Sequence, residues 1–122
     1  MLYKVDFSKQ AFRLMYDQIY SKVLIFALAS GDSEELVKAK FAALIAGNPN
    51  VHLVIKLNDK AELKAYCLYT LQQPFIQVDY IEVDSGHDNE FVQDVLDLLD
   101  SYKEFDKIIM GCNENKYKAY NP

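Results

Sequence analysis

His87 lies between Asp84 and Asp88, and an imidazole with two nearby carboxylates is the densest set of groups here able to move a proton or hold a metal ion. The spacing fits no strong metal-ligand motif. The residues read instead as a turn histidine beside the start of a helix, where acidic side chains suit the positive end of the helix dipole. His52 alternates with apolar residues and reads as a surface or edge position of a strand. No Ser-His-Asp or Cys-His arrangement occurs in a context that identifies a nucleophile. Cys67 and Cys112 each sit inside an apolar run without C-x-x-C spacing, and read as buried free thiols of a reducing compartment. No metal site is expected.

The elements that would position these groups follow from periodicity. Leu2 to Phe7 alternates weakly and reads as a short first strand, with Ser8 placed to cap the next helix. Phe12, Met15, Tyr16 and Ile19 recur at helical spacing, and the all-apolar run Val23 to Leu28 is assigned to helix. Asp32 and Glu35 resemble a capping box ahead of a stripe formed by Leu36, Val37, Phe41, Leu44 and Ile45, which Gly47-Asn48-Pro49 ends. Two alternating runs around Asn58-Asp59-Lys60 predict a β-hairpin, and Phe75 to Val83 predicts a third strand antiparallel to the second. In that third strand Asp79 and Glu82 read as solvated positions. Asn89 to Tyr102 has an apolar helical face opposed by Glu90, Asp94, Asp97 and Asp100, and Lys107 to Met110 returns as a strand. A helix between those two strands implies a right-handed crossover to a parallel neighbour.

The expected fold is therefore α/β with a mixed sheet: a three-strand antiparallel meander, a parallel strand after a crossover helix, and two helices near the N-terminus, in one domain over residues 1–122. With 18 acidic and 13 basic residues in 122, the formal charge is -5, and the basic footprint that nucleic acid requires is absent. No apolar stretch approaches the about 20 residues of a membrane span, and the N-terminus lacks the pattern of a signal peptide. A cytoplasmic or virion location, not a secreted one, is expected.

The element order resembles the acetyl-CoA-dependent GNAT acetyltransferase superfamily over nearly the whole chain. The residues behind the resemblance are the helix Ser33 to Ala46 running into the hairpin, the phrase Val78-Asp79-Tyr80-Ile81-Glu82-Val83 in place of the splayed fourth strand, and Asn113 with Tyr120 at the family's spacing. Lys116 stands where the family has a small residue. The family's turn after that strand is Arg/Gln-x-x-Gly-x-Gly/Ala, whose backbone amides hold the coenzyme's pyrophosphate. Here it is Asp84-Ser85-Gly86-His87-Asp88-Asn89-Glu90, whose three carboxylates oppose a diphosphate, with no Arg or Lys adjacent in sequence. The family's last helix and final hairpin are expected to be missing.

The resemblance implies two functions. In the first, the chain is a non-enzymatic GNAT-like scaffold or interaction protein, a structural or accessory component of a phage virion or other assembly, without a cofactor. Its protein partner, or a second copy, would use an open sheet edge and the C-terminal tail through Ile108, Met110, Tyr117 and Tyr120, with no nucleic acid or membrane involved. In the second, the chain is a minimal acyl-CoA-dependent N-acetyltransferase. The resemblance would then make Glu82 the general base and Tyr120 the acid, with Ile81, Val83 and Asn113 holding acetyl-CoA.

Overall fold

The computed structural model describes residues 2–84, 88–105, 107–110 and 118–120, with only the backbone of Asp88, Asn89 and the last two segments. The strands are β1 (Tyr3–Lys4), β2 (Val51–Leu57), β3 (Leu63–Gln72), β4 (Phe75–Val83), β5 (Lys107–Met110) and β6 (Lys118–Tyr120), and they lie in that order in one sheet. The helices are α1 (Gln10–Arg13), α2 (Tyr16–Ala29), α3 (Glu34–Ile45) and α4 (Asp88–Asp100). Strands β1 to β4 form an antiparallel sheet, β4 aligns parallel with β5 from Phe75↔Lys107 to Val78↔Met110, and β6 runs antiparallel to β5.

Helices on both faces of the sheet explain the residue pattern of β3. Tyr66 and Leu68 face α2 and α3, whereas Ala65, Cys67 and Tyr69 face α4, so every residue from Ala65 to Thr70 is buried. On the first face, Phe41 of α3 is 1% exposed and meets Tyr16 and Tyr20 edge-on at 5.7 and 5.1 Å. On the second, Phe91, Val95 and Leu99, at helical spacing along α4, pack against Cys67, Ile76 and Val78. The acidic residues Glu90, Asp97 and Asp100 lie exposed on the opposite side of α4, and Asp94 is half-buried.

Several local expectations are corrected. Only Tyr3–Lys4 forms a strand within Leu2 to Phe7, because the next residues turn: Asp6 accepts from the backbone N–H and hydroxyl of Ser8 at 2.9 and 2.7 Å. Ser8 therefore does not cap a helix. The apolar run Val23 to Leu28 does lie in helix, but Leu14 and Met15 separate α1 from α2, giving three helices before the hairpin rather than two. The cap of α3 is Ser33, whose hydroxyl accepts from the N–H of Leu36 at 3.3 Å. Asp32 points elsewhere. The edge of β5 expected to be open is paired with β6 through Ile108↔Tyr120, Ile109↔Ala119 and Met110↔Lys118.

Because Phe41 stands at the centre of the aromatic cluster beneath α2, Phe41→Ala is expected to cost about 3–5 kcal/mol, read from the urea midpoint. Ser33→Ala should cost about 1 kcal/mol through the lost cap, and Glu35→Ala much less. Equal losses for the two would return the cap to a reciprocal box.

Candidate functional site

The register of β3 and β4 slips by one residue at a single place. Leu68 faces Tyr80 and Tyr69 faces Val78, so Asp79 is the extra residue of a β-bulge. A bulge turns two successive side chains to one side of the sheet. Val78 still faces α4, but Asp79 and Tyr80 both face α2 and α3. Among the described residues, pairing of β4 with β5 runs from Phe75 to Val78. Among the described residues, no strand adjoins the β5 side of Tyr80 to Val83.

Asp79 is held by a chain of polar contacts. Lys40 Nζ of α3 donates to Thr70 Oγ1 at 2.7 Å, Thr70 Oγ1 donates to Asp79 Oδ2 at 2.6 Å, and Lys40 Nζ lies 3.5 Å from the same carboxylate oxygen. The Lys40 and Asp79 side chains are only 19% and 12% exposed. Burial raises the Asp79 carboxyl above its ordinary range, while the Lys40 charge and the Thr70 hydroxyl pull the other way and do not fully offset it. Beside this link, the Tyr80 hydroxyl donates to Asp32 Oδ2 at 2.6 Å. The bulge thus ties α3 to β4 at its start and at its middle.

The expected solvated character of Asp79 is therefore corrected. Glu82 is also half-buried: it stands opposite Tyr66, and Glu82 Oε1 and the Tyr66 hydroxyl are buried without a hydrogen-bond partner. Burial first, then the Glu82 carboxylate, push the Tyr66 hydroxyl far above its ordinary range. Ile81 and Val83 are partly buried against the α4 side of the core. Of the other expected site residues, His87, Asn113 and Tyr117 lie outside the described residues, as does Cys112, and so do the side chains of Asp88, Ile108, Met110 and Tyr120.

Cations absent from the local sequence of the acidic turn arrive through space. Lys22 of α2 and Lys64 of β3 lie 3.3 and 3.9 Å from the Asp84 carboxylate, and Lys56 of β2 lies 3.7 Å from Glu90. Cys67 is buried, and burial followed by the nearby Asp79 charge pushes its thiol up, as befits an inert core residue. Groups of His, Cys, Asp and Glu able to hold a metal ion do not occur among the described residues.

His52 differs from its expected surface position. It is half-buried on the α4 face, stacked on Tyr69 with ring centroids 5.2 Å apart, and its Nε2 lies 2.7 Å from the Pro49 carbonyl oxygen. Burial and then the Lys4 charge lower its pKa. No sequence signal marked Lys40 or Thr70, because Lys40 meets Thr70 from 30 residues away and periodicity does not report such contacts.

No protein-family model and no curated protein matches this chain. Among solved structures it is similar to the tetramutant of BH1408 protein from Bacillus halodurans, with 11% identity over 94% of this chain and 84% of that one, at a TM-score of 0.53. A point mutant of the same BH1408 protein gives 11% identity over 94% and 83%, also at 0.53. A putative acetyltransferase from the GNAT family from Bacteroides thetaiotaomicron gives 14% identity over 90% of this chain at a TM-score of 0.48, and this chain spans 58% of its length. At such identities the likeness is one of fold.

Removing the cation from the Asp79 site should expose the cost of burying its charge. Lys40→Met is expected to destabilise the protein by about 1–3 kcal/mol at neutral pH. A raised folded pKa means that the folded state holds this proton more tightly than the unfolded chain, so the Asp79 contribution favours folding in acid and is lost as pH rises above 3.8 through the raised value. In Lys40→Met that window should extend to higher pH, so the stability gap to the parent should narrow on acidification. Urea unfolding across the acid range checks it; a gap independent of pH would separate Lys40 from Asp79.

Proposed function

We propose that this chain is a GNAT-like domain that works by binding another protein, including a second copy of itself, rather than by transferring an acyl group. The observation behind this reading is the way side chains are committed along β4. The carboxylates that the resemblance places near an acyl-transfer site are engaged internally or buried: Asp79 with Lys40 and Thr70, Asp84 with Lys22 and Lys64, Glu82 half-buried against Tyr66. Meanwhile large apolar groups stand in water on the helical side, with Ile25 70% and Leu28 52% exposed one turn apart on α2. Apolar side chains at that spacing suit a protein partner. A role within a virion or another assembly fits this reading.

The second reading, acyl-CoA-dependent N-acetyl transfer, draws on one feature: among the described residues no strand adjoins the β5 side of Tyr80 to Val83, whose backbone the resemblance would set beside the coenzyme. The residues present do not fit the coenzyme's diphosphate. Lys22 and Lys64 are taken by Asp84, and a diphosphate drawing on them would leave that carboxylate and Glu90 beside its own charge.

Calorimetry with acetyl-CoA at millimolar concentration is expected to give no saturable heat, and saturation in the micromolar range would reverse the preference between the two readings. Sedimentation velocity tests the other half. Association, with itself or with a captured protein, should weaken several-fold in Ile25→Lys/Leu28→Lys while the melting temperature holds; undiminished association would move the interface off α2.

A further inference from the structure

At the far end of the sheet from Asp84, the chain turning off β1 and the chain leaving α3 enclose an open cleft of about 440 Å³. Its polar lining includes Lys4, Lys9, Asn48 and His52, and Leu44 and Val51 contribute apolar wall. This volume is in the range that holds a small organic molecule. We propose that the cleft is a binding site for a small organic monoanion, a carboxylate on a short apolar body.

The charges of the site support that class. Among the described residues, ion pairs engage Lys22, Lys38, Lys40, Lys56 and Lys64, whereas Lys4 and Lys9, like Arg13, Lys60 and Lys103, form none. Two of these cations line this one cleft, in a chain of formal charge -5. Asp6 also lines the cleft, but its Oδ1 is already turned to the N–H and hydroxyl of Ser8. Two ammonium groups and one carboxylate leave one net positive charge, which a monoanion neutralises and which leaves a dianion half uncompensated.

The neutral groups add direction. Asn48 Oδ1 accepts from the N–H of Asn50 at 2.9 Å, which leaves the side-chain amide free to donate. His52 Nε2 faces the Pro49 carbonyl oxygen, an obligate acceptor, so this nitrogen carries the proton and Nδ1 is the bare one. With His52 held neutral by burial and by Lys4, Nδ1 can accept a hydrogen bond from a hydroxyl or amine on the ligand body. Donors for an anionic head, one acceptor, and Leu44 with Val51 for the apolar part make a site with a polar and an apolar end.

Hexanoate is the probe, with hexanol as its uncharged counterpart and inorganic phosphate as a dianion without a body. Amide chemical shifts of the full chain are followed during each titration. Saturable shifts by millimolar hexanoate, centred on residues 4–9 and 48–52, are expected, with hexanol and phosphate much weaker. An ammonium about 4 Å from a carboxylate in near-aqueous surroundings is worth about fivefold in affinity, so Lys4→Gln and Lys9→Gln should each weaken hexanoate by about that factor. Both lysines are exposed, and an otherwise unchanged amide spectrum reports that each variant is folded. Absence of cleft shifts, hexanol binding as well as hexanoate, phosphate binding better, or lysine variants of parental affinity would each overturn the proposal. The site lies apart from β4, so these outcomes are independent of the acetyl-CoA result.

Discussion

The contact on which this arrangement most depends is the link from Lys40 through Thr70 to Asp79 at the β4 bulge. Without the extra residue, Tyr80 would follow Ile76 and Val78 toward α4 and could not reach Asp32. The bulge brings Tyr80 to the face that Asp79 occupies, so that two polar ties stand side by side against α3 and the residue just before it. Desolvation of the carboxylate outweighs its attraction to Lys40, since the Asp79 pKa is raised despite two partners. That makes the link a device for fixing α3 against the sheet more than a source of stability, in keeping with the general behaviour of buried ion pairs.

A second polar expense lies one step further along the same strand. Tyr66 is wholly buried, yet its hydroxyl and Glu82 Oε1 lack hydrogen-bond partners across the β3–β4 pair. Each such group typically costs about 1–3 kcal/mol. The rings around it offset this: Phe26 meets Tyr66 and Tyr80 edge-on at 6.4 and 6.2 Å, which fills the layer between α2 and the sheet. Packing decides the position of Tyr66, and its hydroxyl is carried along.

Periodicity made the hairpin, the antiparallel third strand, α3 and α4 legible, because each of those elements has a continuous apolar phase: Val51, Leu53 and Ile55 in β2, or Phe91, Val95 and Leu99 in α4. The failures share a different cause. Asp32 and Ser33 are adjacent candidate caps, and only the distant Tyr80 hydroxyl, by engaging Asp32, distinguishes them. Asp79 and Asp84 look solvated in one dimension because their cations come from α2, α3 and β3, up to 62 residues away. The alternation Ile76, Val78, Tyr80 reads as one face, whereas the bulge sends Tyr80 to the other. Local patterns report which elements form; polar partnership across elements needs the fold.

That partnership also sorts the protein's positive charge. Among the described residues, Lys22, Lys40 and Lys64 beside β4 are each spent on a carboxylate of the same chain, so they offer an anion little that is not already neutralised. Lys4 and Lys9 form no ion pair: the nearby carboxylate, Asp6, accepts from Ser8 in the tight turn that ends β1, and Lys9 acts on it only through its charge. The short first strand and the unengaged lysines have one origin. Had Leu2 to Phe7 stayed extended, Asp6 would have continued along the edge of β2 and the cleft between that edge and the end of α3 would have been closed by backbone. The turn at Asp6 both opens the cleft and directs its carboxylate to Ser8, which is why Lys4 and Lys9 line the cleft without an ion pair while Lys22 and Lys64 beside β4 are held by Asp84.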